Sequence, residues 1–79
     1  MLVVSELKRI SGGQCVKILC SQFGFEQVRQ KGSHIVLRKF EDGQKIVTVV
    51  PNHKELKQPT LKSALRLAKV DVDEFVKYQ

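Results

Sequence analysis

The sequence has few of the residues that mark disulfide-rich, fibrous or membrane proteins. Its 79 residues include no tryptophan, one tyrosine, one methionine, two prolines and two cysteines. No apolar run approaches the roughly 18 residues that a membrane-spanning helix requires. The apolar patch near the start is too short for a signal peptide, and Glu6 precedes any basic residue. We therefore expect a cytoplasmic protein that has no membrane partner.

The two cysteines fit neither a disulfide nor a metal site. Cys15 and Cys20 are five residues apart in a segment predicted as a helix, where they point about 140° apart around the axis. They cannot bridge each other in that geometry, and no nearby histidine completes a zinc site. We interpret them as small buried or half-buried apolar residues in a reducing compartment, and we expect neither a metal nor another cofactor.

The length of the chain is enough for one hydrophobic core but not for two. A hydrophobic content of 42% with 28% charged residues is that of a folded chain. We expect a single domain over residues 1–79, in which residues 1–10 form an N-terminal extension that is partly ordered. A core of this size is only marginally stabilising, so a binding partner should add to the stability of the fold.

Positive charge is concentrated in the middle of the chain. The net charge is +6, and all of it belongs to residues 29–66, where nine lysines and arginines accompany three acidic residues. The rest of the chain carries equal numbers of each sign. This concentration is typical of a surface that binds a polyanion, and we favour a nucleic acid over an acidic protein as its partner.

Apolar spacing and turn residues predict a helix followed by three strands. Ser11 suits the cap of a first helix over residues 11–22, and Gly24 suits its end. Three segments are rich in strand-forming residues: 25–30, 34–40 and 45–51. Short turns that contain Gly32 and Gly43 separate them and favour an antiparallel meander. The third strand is apolar on both faces, so the sequence does not decide which face meets the helices.

A second long helix and a short terminal helix should follow the strands. The second helix begins near Pro59, and Lys62 and Arg66 form a positive stripe on one of its faces. Its apolar stripe should pack on the sheet and consists of Leu61, Ala64, Leu65 and Ala68. Asp71 and Glu74 have the spacing of a capping box for the last helix. We therefore expect an α+β fold of order α-β-β-β-α, with a three-stranded antiparallel sheet, helices on one face and a short C-terminal helix.

Strand alternation places His34 and Arg38 on the same face of the second strand. If Ile35 and Leu37 face the helices, His34 and Arg38 emerge on the open side, with Lys31 beside them in the turn. An imidazole can remove or return a proton near neutral pH, and RNA supplies its own nucleophile in the 2′-hydroxyl. The residues alone leave three roles open for His34, namely an inert surface residue, a metal ligand or a proton-transfer group.

Several motifs resemble the HicA (YcfA-like) toxin family of prokaryotic toxin–antitoxin modules. They are GFEQVRQKGSH, TVVP with His53 just after it, ELKQPTLKSALR and VDEF. The resemblance extends from Ser11 to the C-terminal region and implies a fold similar to a double-stranded-RNA-binding domain. It implies an endoribonuclease that cleaves mRNA, blocks translation as part of a stress response, and is neutralised by a HicB-type antitoxin protein. The NHKE loop departs from the family, in which a more basic or glycine-containing loop is common.

The same resemblance identifies His34, which follows the Gly-Ser of the turn, as the catalytic residue. The residues expected to contact RNA are Lys31, Gly32, Ser33, Arg38, Lys45, His53, Lys62 and Arg66. His53 could contact phosphate, act as the general acid or only cap its loop. A non-catalytic RNA-binding module is the alternative to a nuclease, and a domain whose basic surface binds an acidic protein is a third possibility.

Overall fold

The chain folds into a three-stranded sheet with helices, and the computed structural model describes residues 7–79. The elements are α1 (Gly12–Phe23), β1 (Glu26–Lys31), β2 (His34–Glu41), β3 (Gln44–Pro51), α2 (Gln58–Leu67) and α3 (Val72–Val76). The strands are antiparallel and lie in the order β1-β2-β3. The predicted α+β fold, with its α-β-β-β-α order and short C-terminal helix, is confirmed.

Helix α1 begins and ends close to the predicted positions. The Oγ of Ser11 accepts a hydrogen bond from the backbone N–H of Gln14 at 3.1 Å. The side chain of Gln14 accepts one in return from the backbone N–H of Ser11 at 3.0 Å, which completes a capping box. Gly24 ends the helix in the left-handed conformation with φ 77°. Lys39 donates to the carbonyl of Phe23 at 3.1 Å, so a cation also stabilises this end.

Two-residue loops connect the strands, as the turn residues predicted. Gly32 has φ 59° whereas Ser33 lies outside the left-handed region, which is the pattern of a type II′ turn. Asp42 and Gly43 have φ 52° and 76°, which is the pattern of a type I′ turn. Both turn types match the right-handed twist of the strands, so local turn chemistry sets the register of the meander.

One face of the sheet packs against the helices and forms the core. Ile35 and Leu37 of β2 are buried there, as predicted. The β3 residues that face the same core are Ile46, Thr48 and Val50. Thr48 is a fully buried polar residue whose Oγ1 donates a hydrogen bond to the carbonyl of Ala64 at 2.7 Å. This bond joins β3 to α2 and satisfies a hydroxyl that would otherwise be costly to bury.

Helix α2 packs on the sheet through its predicted apolar stripe. The buried residues of this stripe are Leu61, Ala64, Leu65 and Ala68. Lys62 and Arg66 lie on the solvent side of the helix and are exposed. As in the other helices within residues 7–79, its length and polarity do not suit a membrane span.

Helix α3 adds an aromatic side chain to the core. Phe75 is fully buried and stacks against Phe23, with 6.3 Å between the ring centroids. The predicted capping box is wrong, because the side chain of Asp71 makes no capping hydrogen bond. The backbone carbonyl of Asp71 instead accepts from the amide of Glu74 at 3.1 Å. The carboxylate of Glu74 accepts a hydrogen bond from Lys77 at 3.0 Å.

Part of the predicted N-terminal extension packs against the rest of the protein. Leu7 is buried, and its carbonyl accepts a hydrogen bond from the side chain of Gln58 at 2.8 Å. The side-chain amide of Gln79 pairs with the backbone of Lys8 through two hydrogen bonds of 2.8 and 2.9 Å. The prediction for residues 1–6 lies outside the described residues, and the assignment of residues 1–79 to one domain stays a prediction.

The two cysteines serve packing, as interpreted from the sequence. Both thiols are free, and Cys15 is fully buried whereas Cys20 is half-buried. Burial raises the pKa of the Cys15 thiol to about 12 and also raises the pKa of Cys20. A thiol with so high a pKa is not ionised at neutral pH and is a poor nucleophile.

Candidate functional site

The side of the sheet opposite the helices carries the predicted catalytic histidine. We call this side the open face, and its β2 members are His34, Val36, Arg38 and Phe40. His34 is exposed at the first position of β2, directly after the Gly32-Ser33 loop. Its cross-strand partners are Lys31 on β1 and Pro51 on β3. The structure therefore brings the predicted residues 31–34 together at one end of the sheet.

Backbone hydrogen bonds fix this end of the sheet against the loop after β3 and against α1. The amide of Asn52 donates to the carbonyl of Ser33, which precedes the histidine. The amide of Gly12 donates to the carbonyl of His53 at 2.8 Å. The loop that contains His53 thus lies at the same end of the sheet as His34, and its backbone does not depend on the imidazole of His53.

Arg38 lies further along the open face and is already engaged with neighbours. Its guanidinium donates to a carboxylate oxygen of Glu26 at 2.7 Å. The same group lies 5.3 Å from the ring centroid of Phe40, a cation–π distance. The carboxylate of Glu26 offsets part of the charge that the sequence assigned to RNA binding at this position.

The other predicted RNA contacts lie away from His34. Lys45 is the cross-strand partner of Phe40. Phe40 is six residues along β2 from His34, so this pair lies about 20 Å from His34. Lys62 and Arg66 are exposed on α2, in the layer on the other side of the sheet. The structure therefore distributes the predicted contacts over both layers of the fold.

A shallow groove on the open face is lined in part by Arg29, a cation that was not among the RNA contacts predicted from the sequence. The groove has a volume of about 110 Å³, and its lining residues are Val28, Arg29, Val36, Arg38, Lys45 and Val47. A β-bulge between Gln27 and Arg29 shifts the register and sets Arg29 opposite Val36. Arg29 has the same alternation phase as Lys31, so the strand pattern could have placed it on the open face. The bulge before Arg29, which brings Glu26 to this face, could not be predicted from alternation.

Sequence reasoning also missed Gly12 and Phe40. Phe40 shares the alternation phase of His34 and Arg38, so the strand pattern could have placed it on the open face. The close approach of Gly12 to the loop after β3 depends on tertiary packing, and the only local signal is the pair of glycines after Ser11. Among residues 7–79 no group of three or more histidine, cysteine, aspartate or glutamate side chains is placed to bind a metal ion.

The fold and the open face define a small α+β protein with an exposed sheet surface whose charged residues are mostly basic. A family model described as the HicA toxin of bacterial toxin–antitoxin systems matches residues 12–70, which is most of the chain. The chain belongs to the HicA toxin family, and its partner is accordingly an antitoxin. No curated protein and no solved structure matches the chain. The likeness to double-stranded-RNA-binding domains therefore stays a prediction.

Proposed function

We propose that this toxin is an endoribonuclease that cleaves mRNA without a metal ion and uses His34 as its general acid–base group. The observation that carries the proposal is the placement of His34. Its side chain is exposed at the end of the open face, next to Lys31 and directly after a two-residue turn. Membership of a toxin family supports an activity that harms the cell producing it.

The proposed reaction needs a base, a phosphate-binding cation and the 2′-hydroxyl of the RNA. The neutral imidazole of His34 removes the proton of the 2′-hydroxyl, and the resulting oxygen nucleophile attacks the adjacent phosphorus. The bond from phosphorus to the 5′-oxygen breaks, and this oxygen takes up the proton that the imidazolium of His34 returns. The products are a 2′,3′-cyclic phosphate and a 5′-hydroxyl end. Lys31, the cross-strand partner of His34, offsets the charge that develops on the phosphate oxygens.

The proposal includes a HicB-type antitoxin that binds the open face and covers His34. Exposed positive charge next to His34 suits an acidic partner segment, and a small core gains stability from any partner that binds only the folded chain. Hydrogen exchange tests this part. Residues 30–39 should exchange more slowly in the complex than in the free toxin, and equal exchange would mean that inhibition uses another surface.

A cleavage assay with a chelator present tests the catalytic part of the proposal. The wild-type toxin should cleave a single-stranded RNA substrate, His34→Ala should bind it without cleaving it, and the products should carry cyclic phosphate ends. If the wild type and His34→Ala bind RNA equally and neither cleaves it, the protein is a non-catalytic RNA-binding module. Cleavage that disappears with the chelator would contradict the metal-free mechanism.

A further inference from the structure

Phe40 is an aromatic side chain that the core does not use. It lies on the same strand and the same face as His34, and 64% of its surface is exposed. No other large apolar side chain within residues 7–79 is as exposed. Phe25 and Phe75, in contrast, are 4% and 0% exposed. The diagonal neighbour of Phe40 across the strands is Val47, which is also exposed, so the two side chains form an apolar patch among cations, which indicates a ligand surface.

Cations and apolar side chains surround the ring of Phe40. The guanidinium of Arg38 lies 5.3 Å from its centroid and is held there by Glu26. Lys45 is its cross-strand partner and, with Arg38 and three valines, also lines the groove of the open face. An exposed aromatic ring beside a positively charged groove suits single-stranded nucleic acid, whose bases stack on aromatic side chains while its phosphates follow the cations.

We propose that Phe40 is a base-stacking subsite for an unpaired nucleotide of single-stranded RNA that runs along the open face from His34. This inference rests on the proposed function and specifies its substrate. A duplex hides the faces of its bases inside the stack, so an exposed ring can stack only on an unpaired base. Phe40 is about 20 Å from His34 along β2 and therefore takes no part in the chemistry.

Charge on the open face suits a phosphate backbone that leads from His34 to this subsite. Arg29, Lys31 and Lys45 are exposed on this face, and none of them forms an ion pair within the described part of the chain. Glu26 is the acidic residue on this face, and Arg38 already binds it. The cations therefore flank both ends of the path from His34 to Phe40, as a phosphate backbone requires.

Binding measurements with Phe40→Leu and Phe40→Tyr test the subsite. In the His34→Ala background, which keeps the RNA intact, the probes are a short single-stranded oligoribonucleotide and its duplex. Phe40→Leu keeps an apolar side chain but loses the ring, so its affinity for the single strand should fall roughly 5- to 150-fold. Its affinity for the duplex should not change, and Phe40→Tyr should bind both probes as the parent does.

Leu67→Ala is the matched control, because Leu67 is 55% exposed on α2 and lies in the other layer. It should bind both RNAs as the parent does. An unchanged affinity of Phe40→Leu for the single strand would overturn the subsite, and weaker antitoxin binding by that variant would then make Phe40 a protein contact. Equal losses for both RNAs would also overturn it, because stacking would not be the cause. Binding is measured without cleavage, so a failure of the nuclease proposal leaves this result intact.

Discussion

Gly12 packs against the backbone of Pro51 so closely that a side chain at position 12 would overlap it. An added Cβ would overlap the Pro51 carbonyl oxygen and lie 2.9 Å from the carbonyl carbon. Pro51 is the cross-strand partner of His34, and the amide of Gly12 also bonds to the carbonyl of His53. The start of α1 is therefore in direct contact with the strand end that positions His34.

Gly12→Ala should destabilise the protein although alanine is the better helix former. The methyl group must displace the Pro51 backbone, and such overpacking costs about 1–3 kcal/mol. Gly13→Ala is the control, because an added Cβ there meets only the Oγ of Ser11, at 3.9 Å. It should stabilise the fold by about 0.5–1 kcal/mol. Urea unfolding of both variants checks this, and two variants of equal stability would contradict the close contact.

His34→Ala should remove cleavage without weakening the fold. The side chain is exposed, and exposed substitutions usually change the free energy of unfolding by less than about 0.5 kcal/mol. Loss of a general base or acid should slow cleavage by roughly 10²- to 10⁴-fold. His53→Ala is the comparison, since its backbone bond to Gly12 does not need the imidazole. A folded His34→Ala variant that cleaves at the wild-type rate would shift the catalytic assignment towards His53.

Salt should weaken RNA binding because phosphate contacts release counterions. With several cations engaged, we expect a slope of about −2 to −4 in log K against log salt, at roughly −0.7 for each phosphate on a single strand. Lys31→Gln with Lys45→Gln should reduce the steepness by about 1.4, whereas Lys62→Gln with Arg66→Gln, in the other layer of the fold, should leave it unchanged. Titrations of binding at several salt concentrations measure this. An unchanged slope for the α2 pair would confine the RNA to the open face and contradict the sequence prediction for Lys62 and Arg66.

Thr48→Val should cost about 0.5–1.5 kcal/mol although it keeps the shape of the side chain. It removes the buried hydrogen bond to the carbonyl of Ala64. That carbonyl still accepts from the amide of Ala68 at 3.0 Å, so it is not left without a partner. Thermal and urea unfolding measure the change, and a variant as stable as the wild type would show that the bond between β3 and α2 adds nothing.

Alkaline pH should destabilise the protein through Cys15. Burial raises its pKa from 9.0 in the unfolded reference to about 12, so the folded state keeps the proton that the unfolded state loses. The free energy of unfolding should therefore fall as the pH rises from about 9 towards 12. Cys15→Ala has no thiol to ionise and should show a smaller decline over the same range. If the free energy of unfolding declines equally in the two proteins, other groups cause the loss of stability at alkaline pH.

The sequence was most informative where local chemistry decides the structure. Three kinds of feature depend on residues that are close in the chain, and the structure has them as predicted. They are the cap at Ser11, the helix end at Gly24, and the glycine turns before His34 and after Glu41. Which side of β3 meets the core depends on packing with α2, because the residues on both sides of this strand are apolar. Thr48, a polar residue, could not be identified as a core residue from the sequence. The bulge before Arg29 depends on how β1 and β2 pair, and no pattern in the sequence indicates it.

The candidate site was only partly predictable for the same reason. The proximity of Lys31 to His34 follows from a two-residue turn, so it could be read from the sequence. The separation of Lys62 and Arg66 from His34 follows from the packing of α2 on the far layer. Charge along a chain does not show which side of a sheet each charge occupies.

Strand β1 is an edge strand, and all six of its residues are exposed. Such an edge offers unpaired backbone groups to any other extended chain, including another copy of the same protein. The bulge before Arg29 and the charges of Arg29 and Lys31 oppose this pairing. The positive charge of β1 therefore also protects the protein from aggregation. Variants that neutralise both cations should scatter more light in concentrated solution, and their loss of activity should be judged only after aggregates are removed.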